Sequence, residues 1–247
     1  MRRFTIAPER IVDGRVTFDS LETRHLSRVL RLAPGDTVVA TDGAGHDYTV
    51  RLDAVGPRAT GVVVGVVETV VESPLQITLV QGVPKADKLE TIVRAATELG
   101  VTRVVPAIAA RTVVRLTGSQ ASARVARWQR VAREAAKQCG RAVVPNVLSA
   151  RPLEKCLEEA RDTDLALCVW EGESRPLGVV LAEAKRPRRV AVLIGPEGGL
   201  ERREIDAARA AGWQLVGLGA RILRTETAGP AVIAILQSRW GDLGTVP

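Results

Sequence analysis

The amino-acid pattern predicts an α/β protein in two parts: a small strand-rich N-terminal domain and a larger domain built on a parallel sheet. Three observations carry this. Residues 1 to about 71 read as short β-branched strands with one helix, broken by Gly-rich turns. At Glu72-Ser73-Pro74 the texture changes. Beyond it, apolar runs at Ile77–Val80, Val101–Pro106, Leu165–Trp170, Val190–Ile194 and Leu215–Leu218 alternate with segments of helical period. Parallel strands buried on both faces, joined by crossover helices, read in this way. The 247 residues suit one or two domains of roughly 100–200 residues each, here placed at 1–71 and 74–247.

In chain order, Asp19 or Ser20 is positioned to cap a helix running through Leu21, Leu26, Val29 and Leu30 to about Leu32, stopped by Pro34-Gly35. Thr37–Thr41 and Asp47–Leu52 flank the turn Asp42-Gly43-Ala44-Gly45 as in a β-hairpin, and Ala59–Val71 continues as strand. After Pro74, one helix has Leu89, Ile92, Val93 and Ala96 on one face and closes at Gly100. Further helices are expected at about 121–138, 201–211 and 228–240.

The net charge of +7 is unevenly spread. Residues 111–141 hold eight Lys and Arg against Glu134 alone, which accounts for the whole excess. Concentrated positive charge suits a phosphate-rich partner, because each neutralised phosphate releases a counterion; a solvated Arg-rich helix face is the plainer alternative. The few aromatic rings do not indicate a broad base-stacking platform. Cys139, Cys156 and Cys168 form no CxxC pair, and only His25 and His46 offer imidazoles. Neither a disulfide framework nor a metal centre is expected, and the thiols read as buried and inert. No run approaches the roughly 18 apolar residues that cross a bilayer. The start, Met1-Arg2-Arg3-Phe4-Thr5, has no apolar stretch of the kind a secretory leader carries. A cytosolic protein is expected.

Two segments concentrate chemistry. Leu193-Ile194-Gly195-Pro196-Glu197-Gly198-Gly199-Leu200 follows an apolar strand, which places its loop at the carboxyl edge of the sheet, where α/β proteins bind ligands. It is neither G-x-G-x-x-G nor a phosphate-binding P-loop, and a tight strand–helix connection with no ligand is the alternative. Leu218-Gly219-Ala220-Arg221-Ile222-Leu223-Arg224-Thr225-Glu226-Thr227-Ala228 also follows a strand. It sets Arg221 and Arg224 where a helix dipole disfavours cations, so an anionic partner or a pairing with Glu226 is called for.

These two segments resemble the signature of the RsmE family, 16S ribosomal RNA uridine-N3 methyltransferases of the SPOUT superfamily. The resemblance extends to Arg24–Arg31 with Pro34-Gly35-Asp36, to Val83–Lys88, Glu98–Val101 and Gln138–Arg141, and to Trp240–Leu243, in order along the chain. It implies a PUA-like β-barrel domain followed by a trefoil-knotted SPOUT domain that forms a homodimer. It also implies S-adenosylmethionine held mainly by backbone groups of three loops. By position these are Trp170-Glu171; Ile194 with Gly195, Pro196, Glu197, Gly198 and Gly199; and Leu218, Gly219, Ile222, Leu223, Arg224 and Thr225. Gly229-Pro230 departs from the family's run of helix formers, but a proline in a first helical turn costs little.

The reaction so implied, methylation of uridine N3 in 16S rRNA of the small ribosomal subunit, needs a proton acceptor and positive groups facing the uracil carbonyls. It also needs a single-stranded or extruded base. Arg224 is the first choice for electrostatic stabiliser and Arg141 the second. Glu197 or Glu226 is either the proton acceptor or a structural hydrogen-bond acceptor, and water can take the proton if the arginines lower the uracil's pKa. Arg24, Arg28 and Arg31, sharing a helix face opposite Leu26 and Leu30, are read as rRNA phosphate contacts, as are Arg124, Arg127 and Arg130; Trp128 and Val125 are expected to pack inward. His25 reads as a packed or surface residue. Helix 231–236 is apolar nearly all round, so it must be buried in the core or against a second copy. Two rivals stand beside this reading: a SPOUT enzyme acting on tRNA or a ribose 2′-hydroxyl, and a non-catalytic rRNA-binding assembly factor.

Overall fold

The structure is a computed structural model that describes residues 2–69, 72–114, 118–172 and 175–244, the side chains of residues 118 and 119 excepted. Arg115 of the basic stretch, and the last two residues of the strand expected at 59–71, lie outside the described residues. The chain divides into two compact units: residues 1–72 with 133–144, and residues 73–132 with 145–247.

In the first unit, β1 (Arg3–Thr5), β2 (Ile11–Val12) and β3 (Arg15–Thr17) precede a short α1 (Ser20–Arg24), and β4 (Thr37–Thr41), β5 (Asp47–Ala54) and β6 (Thr60–Val67) follow. The sheet order is β1-β4-β5-β6-β3-β2, with β1 parallel to β4 and the other ladders antiparallel. Register shifts in the β5–β6 ladder bend the strands. The sheet curls over a core that includes Phe4, Phe18, Leu26, Val38, Val50 and Leu52.

The helix of this unit differs from its expected form. Asp19 is the cap, accepting from the Glu22 N–H at 2.8 Å, but after Arg24 the chain passes into a π turn, His25–Val29. A π turn holds more residues than an α turn, so the 3.6-residue period fails across it. Leu26 is buried and Leu30 packs on the core, whereas Leu21 and Val29 are exposed. Arg24, Arg28 and Arg31 are all exposed. Arg31 lies beyond the helix with φ of 51°, so it does not extend the row that its spacing suggests.

The second unit holds β7 (Gln76–Gly82), α2 (Lys88–Glu98), β8 (Arg103–Ile108), α3 (Gly118–Cys139), β9 (Asn146–Val147), β10 (Arg151–Pro152) and α4 (Leu153–Cys156). It continues with β11 (Leu165–Val169), α5 (Leu177–Glu183), β12 (Arg189–Ile194), α6 (Arg202–Ala210), β13 (Gln214–Val216) and α7 (Thr225–Trp240). From Arg133 onward α3 clusters with the first unit. Every ladder of the second sheet is parallel, in the order β10-β8-β7-β12-β11-β13, with β9 also on β8. Its central strands are buried as expected of a sheet covered on both faces. No helix among the described residues is long and apolar enough to cross a membrane.

Three details depart from the sequence reading. Cys156 and Cys168 are buried, and burial pushes their thiols up to about 11 and about 12, but Cys139 is exposed. Helix α7 begins at Thr225, so Pro230 falls in its second turn rather than its first and removes the N–H that would bond the Glu226 carbonyl. One face of α7 is buried through Val232, Ile233, Leu236 and Trp240, while Ile235 remains 45% exposed.

Part of the basic stretch is structural. In the first unit the Lys137 ammonium lies 2.8 and 2.9 Å from the buried Glu22 carboxylate, which also accepts from the Thr5 N–H at 3.0 Å. Lys137 also sits 5.2 Å from the centre of the Phe4 ring. Removing one partner strands a buried charge, so Lys137→Met should cost about 3 kcal/mol, read as a lowered urea midpoint at unchanged m-value.

Candidate active site

The carboxyl ends of parallel strands are where their loops gather, and here three of them surround one cavity of about 460 Å³. Its walls are Val169–Glu171 after β11, Ile194–Leu200 after β12, and Gly217–Glu226 between β13 and α7, with Lys88 and Ala228. All three loops assigned from sequence therefore open onto the same space.

The strand order explains the convergence. Strand β13 lies at the sheet edge, outside β11, whereas α7 packs on α2, β12 and β7 near the sheet centre. Segment 217–224 must therefore cross the carboxyl ends of β11 and β12. It is pinned on arrival: the Thr225 hydroxyl donates to the Gly195 carbonyl at 2.6 Å and accepts from the Gln81 side-chain amide at 2.8 Å. Gln81 is fully buried at the end of β7. Its neighbour Gly82 lies flat against the next loop, since a Cβ there would stand 2.5 Å from the Pro196 nitrogen. Gly199 adopts φ of 71°, which favours glycine, and closes a turn by donating its N–H to the Pro196 carbonyl at 2.9 Å.

Loop 195–200 is braced from below. Arg111 donates from its guanidinium to the Gly198 carbonyl at 2.8 Å. Glu201 and Glu204 form a capping box at the start of α6, and Glu204 also accepts from the Ala110 N–H at 2.8 Å. Trp170 faces the cavity with the Arg202 guanidinium 5.8 Å from its ring centre.

The polar side chains of the cavity form a charge-balanced group. Glu197 accepts from the Lys85 N–H at 3.1 and 3.2 Å and lies 3.2 Å from the Lys88 ammonium. Burial pushes its carboxyl up, but hydrogen bonds from its own N–H, from Lys88 and from Lys85 more than offset this and hold it below the usual carboxylate range. The Glu197 hydrogen bond in turn holds the Lys88 ammonium above its ordinary value, with smaller help from Glu226. Lys88 is also 3.4 Å from Glu226, and Arg224 is 4.0 Å from the other Glu226 oxygen. Among the described residues, no cluster of His, Cys, Asp and Glu could hold a metal ion.

The remaining site residues are dispersed. Arg141, the second choice for catalysis, is not among the cavity-lining residues. It belongs to the first unit, is only 8% exposed, and pairs with Glu72 at 2.6 Å. Arg127 pairs with Glu90 at 2.6 Å; Arg130 is exposed and Arg124 half-buried. Trp128 is buried as expected, Val125 only partly. Sequence reasoning missed Lys88, Gln81 and Arg111. Lys88 did carry a signal, a cation at the first position of a helix, where the dipole disfavours it.

Comparison with known proteins agrees with this geometry. Residues 71–237 match the RNA methyltransferase domain family, and residues 21–59 the RNA methyltransferase PUA domain. The chain is 35% identical to ribosomal RNA small subunit methyltransferase E of Synechocystis sp., over 94% of this chain and 76% of that protein. With the Bacillus subtilis protein of the same name it shares 32%, over 84% and 83%. The crystal structure of ribosomal RNA small subunit methyltransferase E from Neisseria gonorrhoeae bound to S-adenosyl methionine superposes with a TM-score of 0.88 at 36% identity, covering 98% of this chain and 99% of that one. Fold, loop geometry and likeness converge: the chain is a member of the ribosomal RNA small subunit methyltransferase E family.

Proposed function

We propose that this chain transfers the methyl group of S-adenosylmethionine to N3 of a uridine in small-subunit ribosomal RNA, giving 3-methyluridine, and works in the cytoplasm. The observation that carries it is the cavity closed by three loops at the carboxyl edge of the sheet. Its volume falls within the range of small-molecule sites, and glycine turns leave main-chain donors and acceptors along its wall to meet a nucleoside. Trp170, Ile194, Gly195–Gly199, Leu218, Gly219 and Ile222–Thr225 would hold the donor. When bound, it supplies an electrophilic methyl group.

The protein's own part is to bind, orient and stabilise charge. Arg224 is 84% exposed at the start of α7, free to face a base brought to the cavity. Positive charge there favours the uracil as negative charge develops on its carbonyl oxygens. Arg24, Arg28, Arg31, Arg124 and Arg130 are the proposed phosphate contacts. Arg127 and Arg141 are engaged by carboxylates, which argues for a structural part for both.

We also infer a homodimer. Ile235 and Ala234 of α7 line a second cavity with Gly178, Leu181 and Ala182 of α5, and Val179 and Ile235 are large apolar residues left exposed. A second copy would bury them. Sedimentation should give twice the chain mass, and Ile235→Asp should shift it toward the single chain.

Nucleoside mass spectrometry of small-subunit rRNA from cells lacking the gene should show 3-methyluridine lost and restored by the wild-type gene. Loss of a ribose-methylated or a tRNA nucleoside instead would point to another RNA substrate, and no change to a binding protein. In vitro, Gly82→Ala should weaken S-adenosylmethionine binding by calorimetry at least about tenfold, because the added Cβ displaces loop 195–199 (on the scale of a catalytic misplacement of about 1 Å). Arg224→Ala should leave that binding in place and slow methyl transfer at least about tenfold.

A further inference from the structure

The sequence left open whether Glu197, Glu226 or water takes the proton from uridine N3, and the surroundings of the two carboxylates differ. Glu197 is committed. Its carboxylate accepts the Lys85 N–H and the Lys88 ammonium. Hydrogen bonds that stabilise the ionised form make a carboxylate a weaker base.

Glu226 is not committed in that way. It lines the cavity from the first turn of α7, with its side chain 21% exposed. Its buried Oε2 atom faces the Lys88 ammonium at 3.4 Å, a longer approach than that of Glu197, and no backbone N–H comparable to that of Lys85 is seen to donate to it among the described residues. Its Oε1 atom lies on the side of Arg224, 4.0 Å from the guanidinium. This carboxylate therefore has one oxygen fixed electrostatically on the protein side and the other beside the arginine proposed to face the base.

Among the described residues, Lys88 has no other ion-pair partner that explains its position. As the first residue of α2 it opposes the helix dipole. What favours it there is its place between Glu197, on the loop after β12, and Glu226, on α7. One ammonium thus joins two of the elements that wall the cavity.

We propose that Glu226 is the catalytic base of the methyl transfer and that Lys88 is the residue that positions it. The proposal rests on the N3-methylation reading above. In the step, the N3–H bond breaks and its proton passes to the Glu226 carboxylate. The electron pair left on N3 forms the new bond to the methyl carbon, and the pair of the breaking C–S bond stays on sulfur, leaving a neutral thioether. Glu226, now neutral, returns its proton to water after the product leaves. Arg224 favours the uracil as it loses its proton, and Lys88 keeps the Glu226 carboxylate oriented between turnovers.

The test uses the full-length protein with small-subunit rRNA, reading 3-methyluridine formed in a single turnover across pH, and S-adenosylhomocysteine binding by calorimetry. Wild type must first yield 3-methyluridine; a product at another atom would overturn the N3 reading and, with it, this inference. Given that product, Glu226→Gln should bind S-adenosylhomocysteine as wild type does yet transfer about a hundredfold more slowly at neutral pH. The deficit should shrink as rising pH ionises the uracil without help. Glu197→Gln should show no such pH-selective loss. Lys88→Met should lower the transfer rate with binding retained, and Lys88→Arg should restore most of it. A Glu226→Gln enzyme with wild-type rate at neutral pH, or with a deficit constant across pH, would overturn the proposal; so would a pH-selective loss in Glu197→Gln alone.

Discussion

The hydroxyl of Thr225 holds the cavity in shape. It donates to the Gly195 carbonyl and accepts from the buried Gln81 amide, so one side chain ties the end of β7, the end of β12 and the start of α7. Water has almost no access to it, since Gln81 is fully buried and Thr225 nearly so. A buried polar group left without its partner is costly, so the three elements hold together or come apart together. Because α7 starts there, segment 217–224 is obliged to arch over the strand ends, and the arch is one wall of the cavity.

Around that pin the protein builds its site mostly from backbone. Gly82 lets β7 lie against Gly195-Pro196 at a distance that a side chain would prevent. Arg111 and the Glu201–Glu204 capping box brace the turn from its outer side. Main-chain groups held this way are pre-ordered, and a bound nucleoside then meets donors and acceptors already in place. The charged residues that line the cavity, Lys88, Arg221 and Arg224 against Glu171, Glu197 and Glu226, balance in charge, which suits a site that must accept a cationic donor and later release a neutral product.

Electrostatics divides the basic stretch between support and contact. Lys137 neutralises a buried carboxylate and Arg141 pairs with Glu72 inside the first unit, while Arg111 and Arg127 hold elements of the second. Arg130 and Arg133 remain exposed, where a phosphate backbone can reach them. A count of positive residues along the chain therefore overstates the surface charge available to a nucleic acid.

How far the sequence alone reached follows from the range of each interaction. Strand runs, helix faces such as Leu89-Ile92-Val93-Ala96, the Asp42–Gly45 turn and the two Gly-rich loops depend on neighbours a few residues apart, so they were legible. The parallel run of strands also placed both loops at the carboxyl edge. The π turn at 25–29 was not legible, because one extra residue in a turn leaves composition unchanged and shifts every later side chain, so the regular helix expected to run to about Leu32 stops at Arg24 and Val29 faces solvent. Partner choice was likewise decided by tertiary structure. Arg141 meets Glu72, Arg111 meets the Gly198 carbonyl, and Lys88 stands between Glu197 and Glu226, pairings separated by as much as 138 positions in the chain. Charges attract appreciably only within a few ångströms, and only the strand order and the crossing of segment 217–224 determine which ones come that close.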